Sequence, residues 1–200
     1  MRTEVKMWRE FYAELGQVSL VCPAENKVIK KTMASSQEYK ERAKAIIRIL
    51  GIQYSILEIG CGYGGLAEEI LKEKEVRYTC VDNEAMLNQA RRFLEDRVIY
   101  IDAKEIRTLK GKKFDLFISH YCLSETPLQF REYVLQNIIK NCKKVSVIDI
   151  NDGVDPTRTM IKAGYEIVPL NIEKWLRQYF DILKICTGKN QSMYLGERLE

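Results

Sequence analysis

The chain has little histidine, one residue in 200, and only four prolines. It has no Cys-x-x-Cys pair among its six cysteines, which argues against a zinc site. Cys61 and Cys80 fall at strand ends, where cysteine acts as a small hydrophobe, and a reducing cytoplasm is the expected setting. No apolar run reaches the ~18 residues a bilayer-spanning helix needs, so no membrane partner is expected. The first fifteen residues, MRTEVKMWREFYAEL, carry charges throughout and lack the continuous apolar core of a secretory signal. A concentrated basic face is also missing. The 32 basic and 28 acidic residues are interspersed, the net charge is +4, and the Lys-Lys pairs at 30–31, 112–113 and 143–144 read as solvated turns. Nucleic acid is therefore not the expected partner. There is no internal repeat and no low-complexity segment. What remains, 46% hydrophobic and 30% charged, is the composition of an ordinary globular chain. The length suits one domain over 1–200, with a helical extension over 1–50 and a core over 51–200.

One stretch organises the rest, Ile56 to Ala67, reading ILEIGCGYGGLA. It opens as a short β-branched run, Ser55 to Ile59, suited to a buried strand. Gly60, Gly62, Gly64 and Gly65 follow within six positions. Leu66 to Leu71 then reads as a helix with carboxylates in its first turn, where the helix dipole favours them. Strand, glycine turn and helix form the layout of a nucleotide cradle, because glycine tolerates positive φ and lets a ligand approach main-chain N–H groups. Gly60-x-Gly62-x-x-Gly65 satisfies the dinucleotide fingerprint. Glu58, two residues before the first glycine, weighs against it. A carboxylate there repels a pyrophosphate and suits a cationic ligand.

Glu58-x-Gly60-x-Gly62-x-Gly64 resembles the first motif of class I S-adenosylmethionine-dependent methyltransferases. The resemblance covers most of 50–150. It implies an α/β, Rossmann-like class I methyltransferase fold: an open, mostly parallel seven-stranded sheet with helices on both faces, here with an N-terminal helical extension. It implies S-adenosylmethionine as cofactor, contacted by Glu58, Gly60, Cys61, Gly62, Tyr63 and Gly64. The rivals are a nucleotide-dependent oxidoreductase, an RNA methyltransferase, and a cofactor-binding module without turnover.

The pattern along the chain agrees. Residues 4–15 carry apolar groups at helical spacing. Residues 16–34 read as a loop, and Ser35 or Ser36 caps a helix running to about Leu50, which Gly51 stops. From Ser55 strands and helices alternate: strands at 55–59, 77–81, 98–101, 114–118 and 144–150, and helices over about 65–74, over 84 to 93 or 95, and from Pro127 to about Cys142. Beyond them, 165–170 reads as a strand and 173–180 as a helix, with a closing hairpin of 181–186 and 192–195.

Ligands of an open α/β sheet bind off the carboxyl ends of the strands, so the residues there are the candidates. Asp82 ends its strand eighteen residues past Gly64. That is near the ~20-residue spacing of a ribose-binding acid, although Asp is also a good helix cap. Asn83 and Met86 would line the adenine side. The resemblance implies that Asp102 accepts from the adenine amino group, with Ala103 offering a backbone N–H. The substrate side follows the strand 114–118. There FDLFISHYCLSETP is similar to the matching segment of sugar O-methyltransferases, with Ser119, Tyr121, Ser124 and Glu125 in common and His120 in place of an asparagine. The Asn/Asp-Pro-Pro-Tyr/Phe tetrapeptide of amino-methylating enzymes is absent. The expected acceptor is therefore a hydroxyl of a sugar or other small molecule. His120 is the expected base, Glu125 is its alternative or its orienting partner, and Tyr121 packs on the sulfonium side or positions the acceptor. Ser119 is counted with the cofactor contacts. Asp149, Asp152 and Asp155 read as a polar loop, and no metal is expected.

Overall fold

The computed structural model describes residues 36–50, 54–120, 122–123, 126, 128–150, 172–188 and 191–200. The expected helix over 4–15, the loop over 16–34, the Gly51 stop, the strand over 165–170 and the Asp152–Asp155 loop lie outside the described residues. The order is α1 (Ser36–Ile49), β1 (Ser55–Ile59), α2 (Gly65–Glu73), β2 (Arg77–Asp82), α3 (Glu84–Leu94), β3 (Val98–Asp102), β4 (Phe114–His120), α4 (Leu128–Asn137), β5 (Cys142–Ile150), α5 (Ile172–Leu176), β6 (Phe180–Gly188) and β7 (Gln191–Arg198). The seven strands hydrogen-bond in the order β3-β2-β1-β4-β5-β7-β6. β2/β3, β1/β4 and β4/β5 pair in parallel, and β5/β7 and β6/β7 pair antiparallel. This is the mostly parallel, seven-stranded, Rossmann-like sheet expected from the sequence. Among the described residues no helix is long and apolar enough to cross a membrane.

The chain forms two compact units. One takes the described residues up to Ser55 together with Cys61–Glu105. Its interior joins a strand buried on both faces to the apolar stripes of two helices: Tyr78 to Asp82 of β2 are buried, as are Leu66, Ala67 and Ile70 of α2 and Leu87, Ala90 and Leu94 of α3. Asn83 caps α3 through its side chain, which accepts from Met86 N at 3.0 Å. The cap is therefore Asn83 and not Asp82.

The other unit takes Ile56–Gly60 and the described residues from Ile106 on. β1 is buried from Ile56 to Ile59, and β4 buries Leu116, Phe117 and Ile118. Near-continuous apolar runs of this kind mark parallel strands covered on both faces.

Three boundaries correct the sequence reading. α4 ends at Asn137, not Cys142, and a short 3₁₀ turn covers Ile139–Asn141. The asparagines are the cause, since Asn137 Nδ2 donates to Tyr133 O at 3.0 Å and Asn141 Nδ2 to Asn137 O at 2.8 Å. Such side-chain bonds compete with the helical ladder. β5 consequently starts at Cys142, opposite Phe114. α5 stops at Leu176, because Gln178 N and Tyr179 N fold back in a tight turn on Trp175 O and Leu176 O. Phe180 then enters β6, opposite Arg198, fully buried.

Candidate functional site

Gly62, Gly64, Gly65 and the end of β2 lie inside the first unit. Gly62 and Gly64 have φ of 55° and 80°, a region that glycine enters without steric cost. The turn closes on itself through Gly64 N–H donating to Cys61 O at 2.9 Å. A Cβ on Gly64 would lie 2.5 Å from Leu94 Cδ1, so α3 packs directly on the bare backbone. Tyr39 of α1 does the same to Gly65, its ring 3.0 Å from where a Cβ would be. A Cβ on Gly62, in contrast, would meet nothing within 4 Å, and the turn is open at that position.

Asp82 binds this turn to α3. Its Oδ2 accepts from Gly62 N at 2.8 Å, and its Oδ1 accepts from Asn83 N at 2.7 Å and Asn83 Nδ2 at 3.1 Å. The side chain is buried, and desolvation pushes its carboxyl up to about 6 from the ordinary 3.8. The two backbone N–H bonds pull the other way, and the Asp102 charge adds a small upward push. A carboxylate offers about four acceptor positions, and three are taken, so about one remains. Asp102, at the parallel position of β3, is held by its own turn. Its Oδ1 accepts from Lys104 N at 2.9 Å, and its Oδ2 pairs with Lys104 Nζ at 2.7 Å. Ala103, the next residue, is buried. Cys61 and Tyr63 are buried as well.

The second unit carries the other candidates. Glu58 is buried on β1, although its charge would favour water. Cys122 packs against the bare Gly60, whose φ is 83°, and a Cβ there would run into Cys122 Cβ. Ser119 and His120 belong to β4 itself, opposite Val147 and Ile148 of β5. The strand is thus two residues longer than expected. Ser119 Oγ is fully buried and, among the described residues, has no hydrogen-bond partner. His120 Nε2 lies 3.1 Å from Ser146 Oγ, and Ser146 is fully buried. Tyr121, Ser124 and Glu125 lie outside the described residues. Thr126 is buried and donates through Oγ1 to Leu123 O at 3.0 Å.

The structure therefore brings Gly62, Asp82, Asn83 and Met86 together, and separately His120 and Ser146, while Ser119 takes the alternate face of β4. Lys104 and Ser146 were missed by the sequence reading. Lys104 had a local signal, a lysine two residues past the strand-end acid. Ser146 had none, since only the β4/β5 register brings it to His120.

Comparison with known proteins gives three findings. Residues 56–145 match the family described as "Methyltransferase domain". No curated protein matches the chain. Many solved structures share the fold. The pyocyanin biosynthetic protein PhzM has 19% identity and a TM-score of 0.63, with 98% of this chain and 64% of that one covered. An O-methyltransferase family protein from Burkholderia thailandensis has 13% identity and a TM-score of 0.62, covering 96% and 69%. The N-methyltransferase NodS from Bradyrhizobium japonicum WM9, solved with S-adenosyl-L-homocysteine, has 16% identity and a TM-score of 0.61, covering 80% and 87%. The chain spans 59% to 69% of the length of several of these matches. At such identities the likeness shows the fold.

Proposed function

We propose, from the premise that residues 56–145 are a methyltransferase domain within a class I methyltransferase fold, that the protein moves a methyl group from S-adenosylmethionine to a hydroxyl of a sugar or other small molecule. One observation carries the choice of cofactor. The Gly62 N–H, the group a dinucleotide's pyrophosphate would approach, donates at 2.8 Å to the Asp82 carboxylate. A buried negative charge on that N–H opposes a phosphate and suits a phosphate-free nucleoside with cationic groups. The open position at Gly62 fits a bound group of this kind.

When bound, the cofactor supplies a methyl group already activated on sulfur, which leaves alignment, exclusion of water and the acceptor's proton to the protein. Asp82 offers its remaining acceptor position to a ribose hydroxyl. The Asn83 cap fixes the direction in which α3 leaves that position. Asp102, neutralised by Lys104, and Ala103 are the residues for the adenine edge. His120 meets the acceptor's heteroatom, either as base or as hydrogen-bond donor, and Glu125 and Tyr121 are its sequence neighbours in that work.

The test is a calorimetric titration followed by an assay of methyl release across glycans and hydroxylated metabolites. S-adenosylhomocysteine is expected to bind and NAD(P) is not. His120→Ala is expected to lower turnover while cofactor affinity stays as in the wild type. Binding of NAD(P) in preference to S-adenosylhomocysteine would overturn the reading. Undiminished turnover of His120→Ala would remove His120 from it.

A further inference from the structure

Lys104 bridges two elements of the first unit, the end of β3 and the start of α3. Its Nζ lies 2.7 Å from Asp102 Oδ2, on the last residue of β3, and 3.8 Å from Glu84 Oε2, on the first residue of α3. Asp102 stands opposite Asp82 in the β2/β3 register, and Asn83, between Asp82 and Glu84, caps α3. The ammonium therefore lies along the same strand-end edge as the acid proposed for the ribose. Its two contacts are unequal. The Asp102 pair is short, that carboxylate is only 18% exposed, and the main-chain N–H of Lys104 also donates to Asp102 Oδ1 at 2.9 Å. The Glu84 contact is beyond hydrogen-bond length, and that carboxylate is 68% exposed, so it holds the ammonium weakly.

Lys104 takes one acceptor position on each oxygen of Asp102, and each oxygen has two lone pairs. A donor on the second lone pair of Oδ2 would sit about 5 Å from the ammonium, given ordinary hydrogen-bond lengths and an angle of about 120° between the two. Whatever exocyclic group a purine carries at that edge is thus met by both charges. An amino group donates to the carboxylate. An oxo group in its place turns lone pairs toward the carboxylate, and a bare acid would repel it. The ammonium changes that outcome, because its donors sit on a flexible stem and can leave Glu84 for the oxo oxygen. We infer that Lys104 is a specificity-determining residue of the cofactor site: beside Asp102 it supplies the donor that lets the site take a 6-oxopurine cofactor as well as a 6-aminopurine one. Selection of the base is then loose, with Asp102 favouring the amino group and Lys104 the oxo group. This rests on the reading above that Asp102 faces the adenine edge.

The full chain is titrated by calorimetry with S-adenosylhomocysteine and with S-inosylhomocysteine, which carries an oxo group and an N1–H in place of the amino group and the bare N1. In the wild type both are expected to bind, S-adenosylhomocysteine the tighter. Lys104→Met is expected to widen the ratio of the two dissociation constants by about tenfold or more, the worth of one hydrogen bond from a charged donor. Lys104→Arg, which restores a cation, is expected to narrow it again. The penalty of the N1–H is common to all the variants, and the loss of charge beside Asp82 acts on both ligands alike, so the change in ratio isolates Lys104. If Lys104→Met does not fold, Lys104→Gln, which keeps the length and loses the charge, is read in the same way. A ratio unchanged or narrowed in the uncharged variant overturns the inference, as does a wild type that binds S-adenosylhomocysteine and gives no binding with S-inosylhomocysteine. A wild type that binds neither removes the proposed cofactor and this inference with it, whereas tight S-adenosylhomocysteine binding with a ratio that Lys104 does not move removes the inference alone.

Discussion

Replacing Asp82 by asparagine isolates the electrostatics of the glycine turn. The wild-type carboxyl is buried and pushed up to about 6, from 3.8 in a free chain. Between those two values the unfolded chain has released the proton and the folded chain has kept it. The folded state then binds more protons, so stability falls as pH rises through the window. The separation of the two values corresponds to about 3 kcal/mol, fully present as a stabilising term below 3.8 and lost above about 6. Asp82→Asn removes this titration. It also removes one acceptor, because the amide oxygen can accept from Gly62 N–H or Asn83 N–H but its NH₂ faces the other. Leaving a buried donor unsatisfied costs about 1–3 kcal/mol. At about pH 4 the variant is therefore expected to be less stable than the wild type by that amount. By about pH 7.5 the wild type has lost its ~3 kcal/mol, and the two should be nearly equal or reversed in order. Urea unfolding of both proteins at steps across this range gives the difference at each pH, and every titration the two share cancels. A flat difference would refute the burial argument. A difference that widens with pH would mean that the two N–H bonds outweigh desolvation and that the native carboxyl lies below 3.8.

The glycines separate folding from binding. Gly60→Ala meets both a φ of 83° and Cys122, and should cost about 2–4 kcal/mol in urea or thermal unfolding; a loss below ~1 kcal/mol would deny the close approach. Gly62→Ala has the strain of a 55° φ but open space, so about 1 kcal/mol of stability should go while S-adenosylhomocysteine affinity falls much further, and unchanged calorimetric affinity would place the ligand elsewhere. The Cys142 thiol, fully buried and donating to Ile138 O at 3.5 Å, is pushed up to about 12. At about pH 8 the native protein should therefore alkylate at Cys142 roughly a thousandfold more slowly than an ordinary thiol, and rapid labelling seen by mass spectrometry would contradict its burial.

How much of this could be read from the sequence depends on what fixes each feature. The strand–turn–helix at 55–73 was legible because backbone sterics alone fix it: four glycines in six positions admit few other conformations, and the φ values of 83°, 55° and 80° are ones other residues avoid. Strand ends at Asp82 and Asp102 were legible for a related reason, since a charged group cannot continue a run of buried residues without a partner. The direction of those carboxylates was not legible. Asp82 was a ribose candidate by spacing, yet its two shortest bonds go to Gly62 and Asn83 N–H, a result that depends on where the turn aims its amides in space. Helix ends were misjudged wherever asparagine competes with the backbone, as at Asn137 and Asn141. Ser146 was invisible for the strongest reason. It lies 26 residues from His120, and no local rule links the two. A one-residue slip of β5 against β4 would turn Ser146 to the other face and leave the imidazole against Val145 or Val147. What the sequence states directly is the conformation glycine permits; what it leaves to the register of β5 against β4 is which hydroxyl the only imidazole meets.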